Sequence, residues 1–199
     1  MTTTVYLVRH GHTENKEGIT YGRMPGFNLS PQGKEEAEVV GNFLSDKNVV
    51  AIYTSPLERA YQTAQIIAKH IPKASLQHSY NLTEVDAQKW QSLPWSEAVK
   101  SFYYEKMLSD PSSTEVDENL DQIATRMEKV LKEILEKYQG RVVVAVSHEI
   151  PILALKLKVE GKPLQELKTL DLKTGADVAL TFGESRKLEK SEIISFPSS

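Results

Sequence analysis

The chain alternates short apolar runs with longer amphipathic segments, a pattern that is typical of α/β proteins. Apolar and β-branched residues predict strands in three clear runs, at 6–8, 49–53 and 142–146. The last run is apolar at every position, which favours a strand covered on both faces, as in parallel sheets. Weaker runs predict further strands, the last of them at a sheet edge, at 75–80, 178–182 and 193–196.

Amphipathic segments between these runs predict helices, because their apolar residues recur three or four positions apart. The first helix begins with Ser30 as N-cap and Pro31 at the first helical position, and its apolar stripe ends at Leu44. Further helices are predicted at about 57–70, 96–108, 119–138 and 152–159.

The segment 87–117 is less regular, and we interpret it as an insertion that forms a lid over a site. Its Trp90 and Trp95 are expected to pack within the core or the lid. Strands and helices alternate through the rest of the chain, so we expect one α/β domain over residues 1–199. Its architecture would be a three-layer αβα sandwich, with a mostly parallel sheet, helices on both faces and a lid-like insertion.

Composition narrows the classes of function. A net charge of −3 gives no sign of a nucleic-acid or membrane surface. The absence of cysteine excludes disulfides, thiolate nucleophiles and cysteine-bound metals, and fits a reducing compartment. No apolar run reaches membrane length, and the N-terminus does not have the pattern of a secretory signal. We therefore expect a cytoplasmic protein that binds neither nucleic acid nor membranes.

Cationic and imidazole side chains follow the predicted strands. Arg9 and His10 end the first strand, Arg59 lies in the first turn after the second, and His148 follows the 142–146 run. In α/β proteins, ligands bind at the carboxyl ends of the strands. The two arginines converge only if their strands are neighbours. The glycine-rich connection 12–28 predicts a loop beside this edge, a common place for functional residues.

Five motifs in order carry a resemblance to a known family. They are Val8-Arg9-His10-Gly11, Leu29-Ser30-x-x-Gly33, Thr54-Ser55-Pro56-Leu57-x-Arg59-Ala60-x-x-Thr63-Ala64, Leu82-x-Glu84 and Val146-Ser147-His148. With these motifs the chain resembles the histidine phosphatase superfamily, which is also called phosphoglycerate-mutase-like. The motifs span most of the chain.

The resemblance implies a metal-independent phosphomonoester hydrolase that needs no cofactor and acts on a small-molecule phosphomonoester. His10 would attack phosphorus and form a phosphohistidine, while Arg9, Arg59 and His148, best when protonated, would hold the phosphoryl oxygens. Glu84 would protonate the leaving oxygen and then activate water, which requires a raised pKa. Asp86 is the substitute if Glu84 is a surface carboxylate.

Several positions differ from the family pattern. His12 stands where many members have an acidic residue or glutamine, and Gln88 replaces a glycine. A common Gly-Glu-Ser appears as Asp117-Glu118-Asn119. Glu149 follows His148 where a small residue is usual, and we expect it to point outward, because an inward carboxylate could repel phosphate.

The loop after His10 supplies three further candidates for substrate contacts. An asparagine that often binds phosphate in the family falls on Lys16 here, and Asn15 lies one position earlier. Lys16 and Arg23 could contact a second anionic group of the substrate. The sequence does not predict which phosphomonoester is the substrate, or the oligomeric state.

Two alternatives to hydrolysis stay open. One is a cofactor-dependent phosphoglycerate mutase, although the chain is shorter than typical mutases. The other is a non-catalytic phospho-ligand-binding protein of the same fold, which the residues at Lys16, Gln88 and Glu149 favour.

Overall fold

The computed structural model describes residues 1–196, so residues 197–199 of the expected domain lie outside the described part. Its centre is a six-stranded sheet in the order β3-β2-β4-β1-β5-β6. The strands are β1 Thr3–Arg9, β2 Val49–Thr54, β3 Ser75–His78, β4 Val142–Ser147, β5 Asp177–Phe182 and β6 Leu188–Ile194. The first four are parallel to one another, β5 is antiparallel to its neighbour β1, and β6 is antiparallel to β5. Only β5 therefore runs against the other five strands, which confirms a mostly parallel sheet.

Helices cover both faces of the sheet, so the three-layer prediction is confirmed. The helices are α1 Pro31–Leu44, α2 Glu58–His70, α3 Trp95–Ala98, α4 Phe102–Ser109, α5 Leu120–Lys137 and α6 Glu149–Val159. Val8 faces α1 and α2 in one apolar core, whereas Leu7 faces α5 and α6 in the other. This is the alternation that a strand imposes on successive side chains.

The turn after β1 packs directly against the start of α1. A Cβ atom at Gly11 would lie 2.3 Å from the carbonyl oxygen of Gly33, and one at Gly33 would lie 2.0 Å from the carbonyl oxygen of His12. Neither position has room for a side chain. The Ser30 side chain accepts a hydrogen bond from the Gly33 amide, and Pro31 begins the helix as predicted. These contacts fix the backbone that follows β1.

The segment 87–117 joins the core on the α5 face through the buried side chains of Trp90, Ala98 and Met107. The single helix predicted at 96–108 is wrong, because the chain forms α3 and α4 with a break at Ser101. The Ser101 hydroxyl caps α4 by accepting from the Tyr104 amide. That this segment acts as a lid, and that the chain is one domain, stay predictions.

Other boundaries differ by a few residues. Helix α6 begins three residues earlier than predicted, since Pro151 is tolerated in its first turn. Strand β6 lies at the sheet edge as predicted, but it begins at Leu188 rather than at residue 193. In the described part of the chain, no helix combines the length and apolar composition that a membrane crossing needs. The cytoplasmic location stays a prediction.

Candidate active site

The carboxyl ends of β1, β2 and β4 meet at one edge of the sheet. Because β4 lies between β1 and β2, side chains from all three strand ends converge although β1 and β2 are not direct neighbours. The His10 amide donates to the Ser147 carbonyl at 3.1 Å, and the ring centroids of His10 and His148 are 5.0 Å apart. The sequence predicts that Arg9 and Arg59 converge only if β1 and β2 are neighbours. They are not, but β4 between them brings the two strand ends to the same edge.

His10 is held as a neutral imidazole with its lone pair on Nε2. The side chain is buried, with 3% exposure, and its Nδ1 lies 2.8 Å from the Gly11 carbonyl. A carbonyl can only accept, so the ring proton is on Nδ1. Burial and the cations of Arg59 and Arg9 hold the His10 pKa well below its usual range. The Arg59 Nε atom donates to the Nε2 lone pair at 3.2 Å.

Arg59 is completely buried at the start of α2. Its Nη2 donates to the Gly22 carbonyl at 2.7 Å, and its guanidinium lies 4.7 Å from the ring centroid of Tyr21. The hydroxyl of Thr63, one turn later, donates to the Arg59 carbonyl and accepts from the Gly11 amide at 3.1 Å. The motif from residue 54 to 64 thus links the guanidinium to the turn that carries His10.

Within residues 1–196, three buried side-chain nitrogens near His10 have no hydrogen-bond partner: Arg9 Nε, Arg59 Nη1 and His148 Nδ1. The other ring nitrogen of His148 lies 2.9 Å from the Ser55 hydroxyl, which also accepts from the Leu57 amide. That hydroxyl can donate its own proton to His148, which places the ring proton on Nδ1. Burial and Arg59 hold the His148 pKa well below its usual range, which favours a neutral ring in this structure. That His148 binds the phosphoryl oxygens best when protonated stays a prediction.

Glu84 contributes a carboxylic acid to the same edge. Its side chain is 16% exposed, and its Oε1 accepts from the Val85 amide at 2.8 Å. Its Oε2 lies 3.8 Å from His148 Nδ1. Burial raises the Glu84 pKa, against the opposing effect of Arg59. This is the direction that a proton donor in a cationic site needs.

Two arginines donate hydrogen bonds to the Glu84 backbone carbonyl. The Glu84 carbonyl accepts from Arg23 Nε at 2.7 Å and from Arg126 Nη2 at 3.2 Å. The Glu118 carboxylate binds both guanidiniums, at 2.8 Å and 2.7 Å. Arg23 thus contacts the Glu84 loop and is not among the cavity-lining residues, and its role as a substrate contact stays a prediction. Asp86 lies beside Arg23 and is not among the cavity-lining residues, whereas Glu84 is, so the structure favours Glu84 over Asp86 as the candidate acid.

A cavity of about 660 Å³ opens over Arg9, His10 and Glu84. Volumes of this size are typical of small-molecule sites. Residues 1–196 contain no cluster of three or more histidine, aspartate or glutamate side chains placed to hold a metal ion.

A family model described as histidine phosphatase superfamily (branch 1) matches residues 5–191. The chain belongs to this superfamily. Among its relatives, an uncharacterized protein of Mycobacterium tuberculosis is 35% identical over 167 residues, which cover 81% of each chain. Phosphoserine phosphatase 1 of Hydrogenobacter thermophilus is 27% identical over 164 residues, which cover 80% of this chain and 77% of that protein.

The fold also matches solved structures. Phosphoserine phosphatase from Entamoeba histolytica, in complex with 3-phosphoglyceric acid, superposes with a TM-score of 0.84 over 98% of each chain, at 23% identity. The superfamily and the phosphoserine phosphatase among the sequence relatives support a phosphatase activity for this chain.

The positions that differ from the histidine phosphatase pattern have distinct environments. The expectation that Glu149 points outward is wrong: it lines the cavity, and its Oε2 lies 2.9 Å from Arg9 Nη1. Lys16 is exposed and is not among the cavity-lining residues, and its role as a substrate contact stays a prediction. Asn15 lines the cavity, but its amide group is bonded in both directions to the Ile19 backbone. His12 and Gln88 are exposed and outside the lining.

Some residues that shape this histidine phosphatase site were not singled out from the sequence. Ser55 lies within the quoted motif, and its hydrogen bond to His148 could have been proposed from that position. Tyr21, Glu118 and Arg126 reach the site only through long-range contacts. No local pattern indicates such contacts.

Proposed function

We propose that this protein is a phosphomonoester hydrolase that works through a phosphohistidine on His10. The observation that carries the proposal is the set of three buried donors without partners, Arg9 Nε, Arg59 Nη1 and His148 Nδ1, around a neutral imidazole. Buried polar groups are almost always paired in native proteins. A tetrahedral anion beside His10 Nε2 would give these donors acceptors.

In the first step, His10 Nε2 attacks phosphorus while the bond from phosphorus to the ester oxygen breaks. Guanidiniums stabilise charge on the phosphoryl oxygens, and Arg59 Nε moves its one hydrogen bond from the imidazole to these oxygens. Glu84 gives its proton to the leaving alkoxide, which departs as an alcohol. The products of this step are phosphohistidine and a Glu84 carboxylate.

In the second step, the Glu84 carboxylate takes a proton from water as the water oxygen bonds to phosphorus. The bond between His10 Nε2 and phosphorus breaks, and inorganic phosphate forms. His10 returns to its neutral form with the Nε2 lone pair free, and Glu84 is again protonated. Over the cycle, Glu84 gives one proton to the leaving group and regains one from water, and His10 accepts one phosphoryl group and passes it to water.

Hydrolysis is favoured over mutase chemistry because a mutase must keep water from the phosphohistidine. Trp95 in the cavity wall is 54% exposed, so the cavity opens to solvent. The alternative of a non-catalytic phospho-ligand-binding protein is supported by the ion pair between Glu149 and Arg9, because it engages a guanidinium that would otherwise bind phosphate. Against it stands the combination of a neutral His10 with a carboxyl group whose pKa is raised.

The test is phosphate release from an aryl phosphate in excess chelator, by the native protein, His10→Ala and the control His78→Ala. His78 is an exposed histidine outside the cavity. The proposal predicts turnover that survives the chelator, persists in the control and is lost in His10→Ala. Activity that the chelator abolishes, or that His10→Ala retains, would refute it. Rapid interconversion of phosphoglycerates with negligible phosphate release would favour the mutase alternative.

A further inference from the structure

The cavity wall beyond His10 is largely apolar and aromatic. Helices α3 and α4 and the loop before them supply Trp90, Trp95, Tyr104 and Leu108, and Ile150 and Leu167 line the cavity from other parts of the chain. Apolar walls bind the apolar parts of ligands, with a few polar groups fixing orientation. Arg9, His10 and Glu84 line the same cavity, so a substrate held there by its phosphate would place its organic group among these apolar side chains.

Three rings of this wall form an edge-to-face series. The centroid of Tyr104 lies 5.2 Å from that of Trp90 and 5.7 Å from that of Trp95, with interplanar angles of 77° and 78°. Trp90 is buried, which anchors the series, whereas Trp95 leaves more than half of its surface open. An indole fixed by its neighbours and open toward a cavity offers an apolar surface to a ligand at little cost in side-chain entropy.

The charges in the cavity oppose a second anionic group. The Glu149 carboxylate lies within the lining and pairs with Arg9, whose Nη1 also donates to the Leu172 carbonyl. Lys173, another lining residue, pairs with Asp171 at 2.5 Å. Lys168 is exposed at the rim, where solvent and salt screen its charge.

We propose that the organic group of the substrate is apolar, with an aromatic ring preferred, and that Glu149 disfavours phosphomonoesters with a neighbouring carboxylate. This inference rests on the proposed function and specifies its substrate class. It predicts a preference unlike that expected of a phosphoglycerate or phosphoserine enzyme. Trp95 and Glu149 are specificity residues in this account.

The test compares kcat/KM for three primary alkyl phosphates with similar leaving groups: 2-phenylethyl phosphate, 3-phosphoglycerate and phosphoethanolamine. The native protein should favour 2-phenylethyl phosphate over each of the others by at least about 10-fold, as expected for burial of one aromatic ring. Equal values, or a preference for either charged substrate, would overturn the proposal. A preference for phosphoethanolamine would instead identify Glu149 as an ammonium site.

Variants separate the two parts of the proposal. Trp95→Ala should lower the ratio of 2-phenylethyl phosphate to 3-phosphoglycerate by about 10-fold, and Trp95→Phe should restore most of it. Phe102→Ala is the matched control, because Phe102 is similarly exposed, on α4, but does not line the cavity. Glu149→Gln should shift the ratio toward 3-phosphoglycerate by about 10-fold. An unchanged ratio in Trp95→Ala or Glu149→Gln would overturn the role of that residue.

Binding measurements keep this inference separate from the proposed chemistry. Calorimetry of the same esters with His10→Ala should give the same ranking of affinities without any turnover. Absence of turnover in the native protein, with the ranking intact, would overturn the proposed hydrolysis and leave the specificity inference standing. Turnover without the ranking would do the reverse.

Discussion

Replacing Glu84 with glutamine separates its two proposed roles. Glutamine has almost the same shape and retains an oxygen that can accept from the Val85 amide, so the loop should keep its structure. The variant cannot donate the proton that the raised pKa of Glu84 preserves. A positioned general acid contributes about 10² to 10⁴-fold to a rate. Hydrolysis of an alkyl phosphate such as 2-phenylethyl phosphate should fall by about this factor in Glu84→Gln.

The loss should depend on the leaving group. Nitrophenolate leaves without a proton, so the first step with p-nitrophenyl phosphate should remain within about 10-fold of the native rate. The second step still lacks its base and becomes limiting. Stopped-flow absorbance should then show a burst of one nitrophenolate per active site, followed by slow turnover. Asp86→Asn, a carboxylate outside the cavity, is the control and should behave as the native protein.

Equal losses with the alkyl and aryl esters, and no burst, would refute this division of roles. If Asp86→Asn lost the same factor in hydrolysis rate as Glu84→Gln, the loss would reflect a change in the structure of this loop rather than proton transfer by Glu84. Hydrolysis of the alkyl ester at the native rate in Glu84→Gln would place the general acid elsewhere.

Three other predictions concern titration, stability and positioning. NMR titration should find the His10 and His148 rings neutral at pH 6, since burial lowers both pKa values; titration near the usual 6.5 would contradict this. Asp177 is buried, neither of its carboxylate oxygens has a partner within residues 1–196, and burial raises its pKa well above 3.8. The protonated Asp177 stabilises the folded state below about pH 4, and this contribution is lost as pH rises through the folded pKa. Chemical denaturation should therefore find that Asp177→Asn gains stability relative to the native protein as pH rises above about 4; parallel curves would refute this. Glu118→Gln should lower kcat about 10-fold, because it weakens the ion pairs that hold Arg23 and Arg126 against the Glu84 carbonyl. The exposed control Glu115→Gln should leave kcat unchanged. Equal kcat values in the two variants would show that Glu118 does not position Glu84.

The reacting edge was predictable because its signals are local. Strand β4 is apolar at five successive positions, and His148 follows one residue after them. Arg9 and His10 end β1 in the same way. Once the strands are parallel, their carboxyl ends meet regardless of the rest of the sequence.

The environment of Glu149 was not predictable from its neighbours in the chain. Glu149 is the first residue of α6, directly after the N-cap His148. At that position a side chain can face either the solvent or the protein, and the local sequence does not decide which. What fixes it is the segment near Leu172, whose amide and carbonyl contact Glu149 and Arg9 from more than twenty residues away. Arg23 presents the same difficulty, since its partners Glu84 and Glu118 lie 61 and 95 residues further along the chain.

Some errors came from weak local signals. Strand β6 is an edge strand with mostly polar, partly exposed residues, so hydrophobic alternation marked only its last two residues. The break between α3 and α4 did have a local signal, because Ser101 precedes Phe102 as an N-cap with Glu105 in the first turn. Hydrophobic spacing alone does not detect that break.

The central claim is a phosphoryl group carried by His10, and chemical trapping tests it most directly. Native protein mixed with ³²P-labelled p-nitrophenyl phosphate would be quenched in alkali, where phosphohistidine is stable, and mapped by peptide mass spectrometry. The account predicts acid-labile label on the peptide that contains His10, formed and discharged as fast as turnover, and no label in His10→Ala. Turnover without label on that peptide, or label that persists in His10→Ala, would contradict it.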